Sequence, residues 1–440
     1  MTSKKPGKEQ ILASFFDDGV YSALFSQGSV TAAYGTANGQ PVYAVAQSGA
    51  AVTVKDLEKN EKVLELAAQT GNPVVTFYDS TGAVLENGMD VLAAYARLNE
   101  KIARLSGVVP QLAVVTGVCA GSAALCAAGA DLCIMAQDGE LFFTPPFTSA
   151  AAGDVCADAG SGELAAKAGV VSCLAKDGLE AAAMAAHLVG LLPSNNLASP
   201  SVFEFEAPVE TYVKGGQAEK TAQAILDKDS MIQLYTGFGK KAFTALGTLH
   251  GNAVGLVVTG EHVCRNCASK ISRFVRFCDA YSVPVVTVID TQGFKAGTTE
   301  DVSGGIREAA RLMATYADAT TVRVAVLAGK AVGPVYMALA EADFRLAVEG
   351  CVISPVEPKV AVSVLEKESL ESAPNLQAAI DAAARTYAQE KCSAQAAVDN
   401  GLADLACDGS VLRDTLAFAL DMLATKRGSR LPKKHGNMPL

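Results

Sequence analysis

The sequence predicts an α/β protein built from two tandem copies of one unit, each a stack of strand-strand-helix turns around a largely parallel sheet. Three observations predict it. Uninterrupted runs of β-branched and aromatic residues at 74–78 (Val-Val-Thr-Phe-Tyr) and 285–289 (Val-Val-Thr-Val-Ile) read as strands buried on both faces. Each precedes a stretch, 89–105 and 304–319, with apolar residues at three- and four-residue spacing and charges between them, the pattern of an amphipathic helix. The order of these segments then repeats at a nearly constant distance along the chain.

The repeat has a register. Pro73 and Pro284, Asp79 and Asp290, and Gly82 and Gly293 are each 211 residues apart. Residues 113–117 answer 325–329 at 212, as Gly121 answers Gly333 and Asp131 answers Asp343, and 142–145 answers 352–355 at 210. Composition alone does not hold such a register. The turn-forming run Leu192-Pro193-Ser194-Asn195-Asn196 marks the joint, giving an N-terminal domain over 1–198 and a C-terminal domain over 199–440.

Within the first copy the expected order is strand 74–78, helix 89–105, strand 112–116, a glycine turn, an alanine-rich helix at 123–128 and strand 131–136. The second copy gives strand 285–289, helix 304–319, strand 322–327, a turn, helix 336–340 and strand 344–348. Right-handed crossovers wind each set into stacked turns.

The 440 residues carry 36 Lys+Arg against 46 Asp+Glu, a net charge of -10, with 50% apolar and 19% charged residues. That balance suits a globular chain rather than a disordered one. The length suits two domains with full cores. An acidic chain repels a phosphate backbone, so nucleic acid is not an expected partner, and the basic residues from Lys426 to Lys434 read as a solvated tail. Met1-Thr2-Ser3-Lys4-Lys5-Pro6-Gly7 has no apolar run behind it before Asp17 and Asp18, so no signal peptide is expected. The uncharged stretch 108–130 is broken by glycines and reads as strand, turn and helix rather than a membrane span. Eleven cysteines scattered through apolar segments fit reduced thiols, which makes the cytoplasm the expected location.

The most informative element is the turn Gly117-Val118-Cys119-Ala120-Gly121-Ser122-Ala123-Ala124. The first N–H groups of a helix lack internal partners, and that end of the dipole is positive. Small residues let a substrate oxygen approach, so the amides of Gly121 and Ser122 are candidates to hold a thioester enolate or similar oxyanion. The turn recurs as Gly333-Pro334-Val335-Tyr336. Pro334 has no N–H, so this second pocket offers the Val335 amide and loses a donor.

Other motifs are sparse. The chain has no Gly-x-Ser-x-Gly elbow, no phosphate loop ending in Lys-Ser/Thr and no His-Glu-x-x-His. Gly237-Phe238-Gly239-Lys240-Lys241 matches a dinucleotide fingerprint only loosely. Cys264-Arg265-Asn266-Cys267, with His262 and Cys278 nearby, lacks the second pair that a structural zinc site brings, and no metal is expected. None of the four histidines (His187, His250, His262, His435) stands in a nucleophile or base pattern. Any catalysis therefore relies on backbone dipoles and a bound cofactor.

The run Gly107-Val108-Val109-Pro110-Gln111 through Gly117-Val118-Cys119-Ala120-Gly121-Ser122-Ala123, Asp131 and Phe142-Phe143-Thr144-Pro145-Pro146 resembles the N-terminal half of biotin-dependent acyl-CoA carboxyltransferases. Asp290-Thr291-Gln292-Gly293-Phe294, Gly297-Thr298-Thr299-Glu300, Gly304-Gly305-Ile306-Arg307 and Arg311 resemble their C-terminal half. The resemblance runs from Val30 to Val364, in the family's order. It implies two tandem domains of the ClpP/crotonase-like ββα-superhelix fold and a homo-oligomer, a hexamer formed as a trimer of dimers. By the same resemblance, the acyl-CoA would lie on the N-terminal domain, with its enolate oxygen on Gly121 and Ser122 and with Gly82, Ala83 and Ala120 lining the site. Biotin, carried on a separate protein, would enter over the C-terminal domain, its ureido oxygen near Gly333 and Val335, in a pocket shaped by Gly293, Phe294, Gly297 and Thr298. A carboxyl group would then move between the biotin and the acyl α-carbon, in either direction. The implied partners are a biotin carrier protein and either biotin carboxylase or membrane decarboxylase subunits, because the chain has no Ala-Met-Lys-Met segment to carry biotin and no ATP-grasp region.

The chain departs from the family at Gly333-Pro334-Val335-Tyr336, where the family reads Gly-Gly-Ala-Tyr, and at Asp79-Ser80-Thr81-Gly82-Ala83-Val84, which lacks the family's arginine. Pro334 keeps open a second reading, a catalytically impaired scaffold subunit that assembles with an active paralogue. A third, a hydratase acting without biotin, needs paired acidic residues near the first turn, and the nearby candidates are Glu86 and Glu140.

Overall fold

The computed structural model describes residues 5–428, 432–437 and 439. Met1 to Lys4, read above for a signal peptide, and residues 429–431 of the basic tail lie outside them. The chain divides into two compact units, Met1–Ser201 with Leu234–Phe238, and Val202–Gln233 with Gly239–Leu440.

The first unit is built on a seven-stranded sheet in the order Tyr21–Phe25, Val30–Ala37, Gln40–Gln47, Val74–Tyr78, Gln111–Val115, Leu132–Ala136, Cys173–Ala175. The first two pairings are antiparallel and the rest parallel. The three central parallel strands are buried along their whole length, which is why they read as continuous apolar runs instead of alternating ones. Helix Met89–Leu105 covers them with Val91, Ala94, Tyr95, Leu98, Ile102 and Leu105, a stripe at three- and four-residue spacing.

The second unit repeats this plan. Its sheet runs Ile232–Gln233, Ala242–Leu249, Asn252–Thr259, Val285–Thr291, Arg323–Val332, Phe344–Val348, Leu405–Cys407, with Val352–Ser354 paired to the end of Arg323–Val332. The duplication extends further back than the sequence register suggested. Hairpin Val30–Ala37/Gln40–Gln47 returns 212 residues later as Ala242–Leu249/Asn252–Thr259. Both hairpins turn through two left-handed residues, Asn38-Gly39 and His250-Gly251. In each turn both amides donate to one aspartate, Asp17 in the first unit (2.8 and 2.9 Å) and Asp227 in the second (3.0 and 2.8 Å).

Asp131 and Asp343 also keep one job. Each accepts the N–H that starts the neighbouring strand, from Gln111 and Arg323, at 2.9 Å in both units.

One expected correspondence is wrong. The sequence set 142–145 against 352–355, but Phe142 pairs with Ala120 and Ser354 with Val332, so the true partners are Phe142 and Ser354, at 212 like their neighbours. The matching prolines are then Pro146 and Pro358, each at the first position of a helix, and the apparent match of Pro145 with Pro355 is chance.

After this point the copies diverge by twenty residues, since Cys173–Ala175 corresponds to Leu405–Cys407 at 232. The extra chain forms helices Lys367–Glu371 and Leu376–Lys391, which pack with Pro358–Leu365 around Val362, Leu370 and Ala384. Among the described residues no helix is long and apolar enough to cross a membrane.

Candidate functional site

Asp79, at the end of strand Val74–Tyr78, organises the first turn. Its N–H donates to Gln47 Oε1 (3.0 Å) and its Oδ1 accepts from Val118 N (3.2 Å), while Ser80 N donates to the Val118 carbonyl (2.9 Å). Val118–Ala120 is thereby held as a short strand parallel to Glu140–Phe142. The chain then bends at Gly121, φ 58 and ψ −120, into helix Ser122–Gly129. That positive φ explains the glycine, since a Cβ there would meet nothing closer than 4.0 Å.

The pairing decides which amides are open. Gly121 N donates to the Phe142 carbonyl at 2.9 Å, and the Gly121 carbonyl accepts from Ala124 N and Leu125 N (3.1 and 3.4 Å). Gly121 therefore shapes the turn but does not supply the donor expected of it. Among the described residues, the Ser122 and Ala123 N–H groups at the helix start are left without acceptors. Two adjacent, unspent donors at the positive end of a helix suit a developing negative oxygen. Ser122 is half-buried and Ala123 is 5% exposed, so the first donor sits at the edge of the surface and the second lies just beneath it.

The second turn copies the bend and not the chemistry. Gly333 has φ 68 and ψ −145, and its N–H is taken by the Ser354 carbonyl at 2.8 Å. Pro334 is exposed and carries no N–H, and Val335 is 0% exposed. Of the expected donors, Gly333 is spent inside the fold, and Val335, whose N–H has no acceptor among the described residues, is fully buried beside a proline that offers no second donor. The sequence showed the missing donor at Pro334; the enclosure of Val335 is visible only in the packing. A cleft of about 350 Å³ in this unit is lined instead by Tyr212, Gly260, Asp290, Gln292 and Lys330.

The loops after the first parallel strands are also twins. Ser80 Oγ accepts from Gly82 N (3.1 Å) and donates to Ala50 O (2.9 Å). Thr291 Oγ1 does the same with Gly293 N (3.4 Å) and Glu261 O (3.0 Å). Gly82 and Gly293 take φ of 120 and 129. Ala83 bridges to Val52, and Phe294 to Val263. Gly297, φ 127, precedes helix Thr298–Val302, in which Thr298 and Thr299 are exposed and Glu300 is buried.

Within the first unit the one histidine is His187, half-buried in helix Gly178–Leu191, where burial holds its pKa below the usual value. Glu86 and Glu140 are exposed, which leaves the hydratase reading without an enclosed acid–base pair. Among the described residues no group of three His, Cys, Asp or Glu is placed to hold a metal ion. Gly237 to Lys241 leads into strand Ala242–Leu249 rather than a helix, so the dinucleotide pattern has no helix start to use.

Comparison with known proteins agrees with this layout. Residues 11–438 match the carboxyl transferase domain family, beyond both ends of the stretch legible in the sequence. The chain is 30% identical to the methylmalonyl-CoA carboxyltransferase 12S subunit of Propionibacterium freudenreichii subsp. shermanii, over 96% of this chain and 86% of that protein. It is also 30% identical to the methylmalonyl-CoA decarboxylase subunit alpha of Veillonella parvula, over 95% and 86%. The crystal structure of transcarboxylase 12S, described as a hexamer with methylmalonyl-coenzyme A and methylmalonic acid bound, superposes with a TM-score of 0.92 at 27% identity. It covers 99% of this chain and 92% of that one. The fold is thus the two-domain crotonase-like α/β architecture.

Proposed function

Because this chain belongs to the carboxyl transferase domain family, we propose that it moves a carboxyl group between the α-carbon of an acyl-CoA and biotin borne on a separate protein. The thioester lies at the first turn, with its oxygen on the N–H groups of Ser122 and Ala123. As the α-carbon loses or gains its carboxyl group, negative charge gathers on that oxygen. Donors fixed by the fold stabilise this charge without reorganising. Gly121 keeps the approach free of a side chain, and Asp79, through Val118, holds the strand that sets the turn. The Ala83 and Ala120 main chain lines the same approach.

Biotin, when bound, supplies a ureido nitrogen that carries the carboxyl group and handles the proton. The loop Gly293, Phe294, Gly297 and Thr298 shapes its place on the second unit. The residues at Gly333 to Val335 do not fit a second oxyanion site, so no step is assigned to them. Biotin carrier, biotin carboxylase or membrane decarboxylase subunits are the partners, and the working form is a homo-hexamer, as described for transcarboxylase 12S.

The observation that carries this reading is the pair of open amides at Ser122 and Ala123 in a chain so similar to a methylmalonyl-CoA carboxyltransferase subunit. Purified protein should release carbon dioxide from methylmalonyl-CoA or malonyl-CoA when free biotin is added. Tight binding of either CoA ester with no biotin-dependent release would sink the assignment.

A further inference from the structure

Two cysteines stand where the first unit keeps a capping box. At the start of helix Val54–Thr70, Thr53 Oγ1 accepts from Asp56 N (3.2 Å), and the Asp56 carboxylate accepts from Thr53 N (3.1 Å) and Thr53 Oγ1 (2.8 Å). The corresponding helix of the second unit is Arg265–Ala280, and the same two positions, 211 residues on, are Cys264 and Cys267. Half of the cap survives, since Cys264 Sγ accepts from Cys267 N at 3.3 Å. Sulfur is a weak acceptor, so capping does not account for replacing both oxygens. The two Sγ atoms lie 2.8 Å apart with no bond between them, near enough to close to about 2.05 Å with little movement. Cys264 is partly exposed and Cys267 is 0% exposed.

We propose that Cys264 and Cys267 form a reversible thiol–disulfide site that takes low-molecular-weight disulfides, with Cys264 as the attacking sulfur and Cys267 as the resolving one.

The electrostatics agree with that division of roles. The hydrogen bond from Cys267 Sγ and the amides of Cys267 and Asn266 outweigh burial and pull the Cys264 thiol down to about 6. The same sulfur contact, with burial, pushes Cys267 up. Burial alone pushes Cys126 and Cys133 up to about 12, so these are inert by comparison. The turn is also held in place. Val263 N donates to Gly293 O (3.0 Å), Lys295 N to Val263 O (3.0 Å) and Arg265 N to Glu300 Oε1 (2.6 Å).

The chemistry balances. The Cys264 thiolate attacks one sulfur of the disulfide, forming a mixed disulfide and expelling one thiolate. Cys267 then attacks Cys264 Sγ and expels the second. The two protein thiols are oxidised and the small disulfide is reduced to two thiols, which carry away the two protons.

The test is to equilibrate reduced full-length protein in glutathione buffers of stepped oxidised-to-reduced ratio, alkylate, and map the peptides by mass. The expected result is a reversible loss of two hydrogens confined to the peptide holding both residues. Serine can serve as an N-cap, so Cys264→Ser should stay folded and lose the reaction. Cys267→Ser should trap glutathione on Cys264. At pH 6.5 iodoacetamide should alkylate Cys264 in the Cys267→Ser protein several-fold faster than the exposed Cys156. A pair that stays reduced at the highest ratio, an adduct on Cys267 in Cys264→Ser, or alkylation of Cys264 no faster than Cys156 overturns the proposal.

Discussion

Gly117 lies against the carboxylate of Asp79 so closely that a Cβ on Gly117 would stand 1.9 Å from Asp79 Oδ1. The same pair recurs as Gly329 and Asp290, at 2.0 Å. In both units the aspartate Oδ1 accepts from the next residue's amide, Val118 at 3.2 Å and Lys330 at 2.9 Å. A side chain at the glycine would drive the carboxylate off the amide it holds, so the glycine is there to admit the aspartate.

Gly117→Ala should therefore cost about 1–3 kcal/mol, the usual range for overpacking, measured by urea unfolding. Adding Asp79→Ala should recover part of the loss, because the clash partner is gone. Costs that simply add would show that the two residues do not act as a unit.

Ser122→Pro removes one of the two open donors while keeping a residue welcome at the first helical position. Gly333 already precedes a proline with φ 68 and ψ −145, close to the 58 and −120 of Gly121, so the fold should accept the change. Turnover of the acyl-CoA should fall about 100- to 1,000-fold, and Ser122→Ala should be nearly silent. Equal losses in both variants would point to the hydroxyl instead of the amide.

Pro334→Ala adds an N–H at an exposed position, where Val335 beside it is enclosed. Transfer to biotin should rise in this variant, while acyl-CoA affinity stays the same. An unchanged transfer rate would mean that the second bend serves only to start its helix.

Lys270 is 2% exposed, with Nζ on the Ala242 carbonyl at 2.8 Å, and burial pulls its pKa from 10.5 down to about 8. The folded state thus releases this proton earlier than the unfolded state. Its penalty on folding is complete below pH 8 and is relieved as pH rises from about 8 to 10.5. Lys270→Met should be the more stable protein at pH 7, and its advantage over the wild type should shrink steadily up to pH 10. An advantage independent of pH would mean that the effect is one of packing alone.

Much of the architecture was legible because local pattern and burial coincide in a parallel sheet. Val74–Tyr78 and Phe344–Val348 have the bounds read from their runs, and Met89–Leu105 has the bounds read from its stripe. The correspondence of Thr53 and Asp56 with Cys264 and Cys267 was hidden, because chemically unlike residues share a position only through the helix start they occupy. The Pro145 and Pro355 match misled for the opposite reason, since identical residues fell at different places in the pairing.

The sequence by itself determined the duplication, the α/β units and the membership of the carboxyl transferase family, since these rest on periodicity and on motifs in order along the chain. Tertiary structure alone decided which backbone donors are available. An N–H is open only if no carbonyl reaches it, and Phe142, 21 residues from Gly121, reaches it through the pairing of two short strands. That choice moved the donor pair to Ser122 and Ala123.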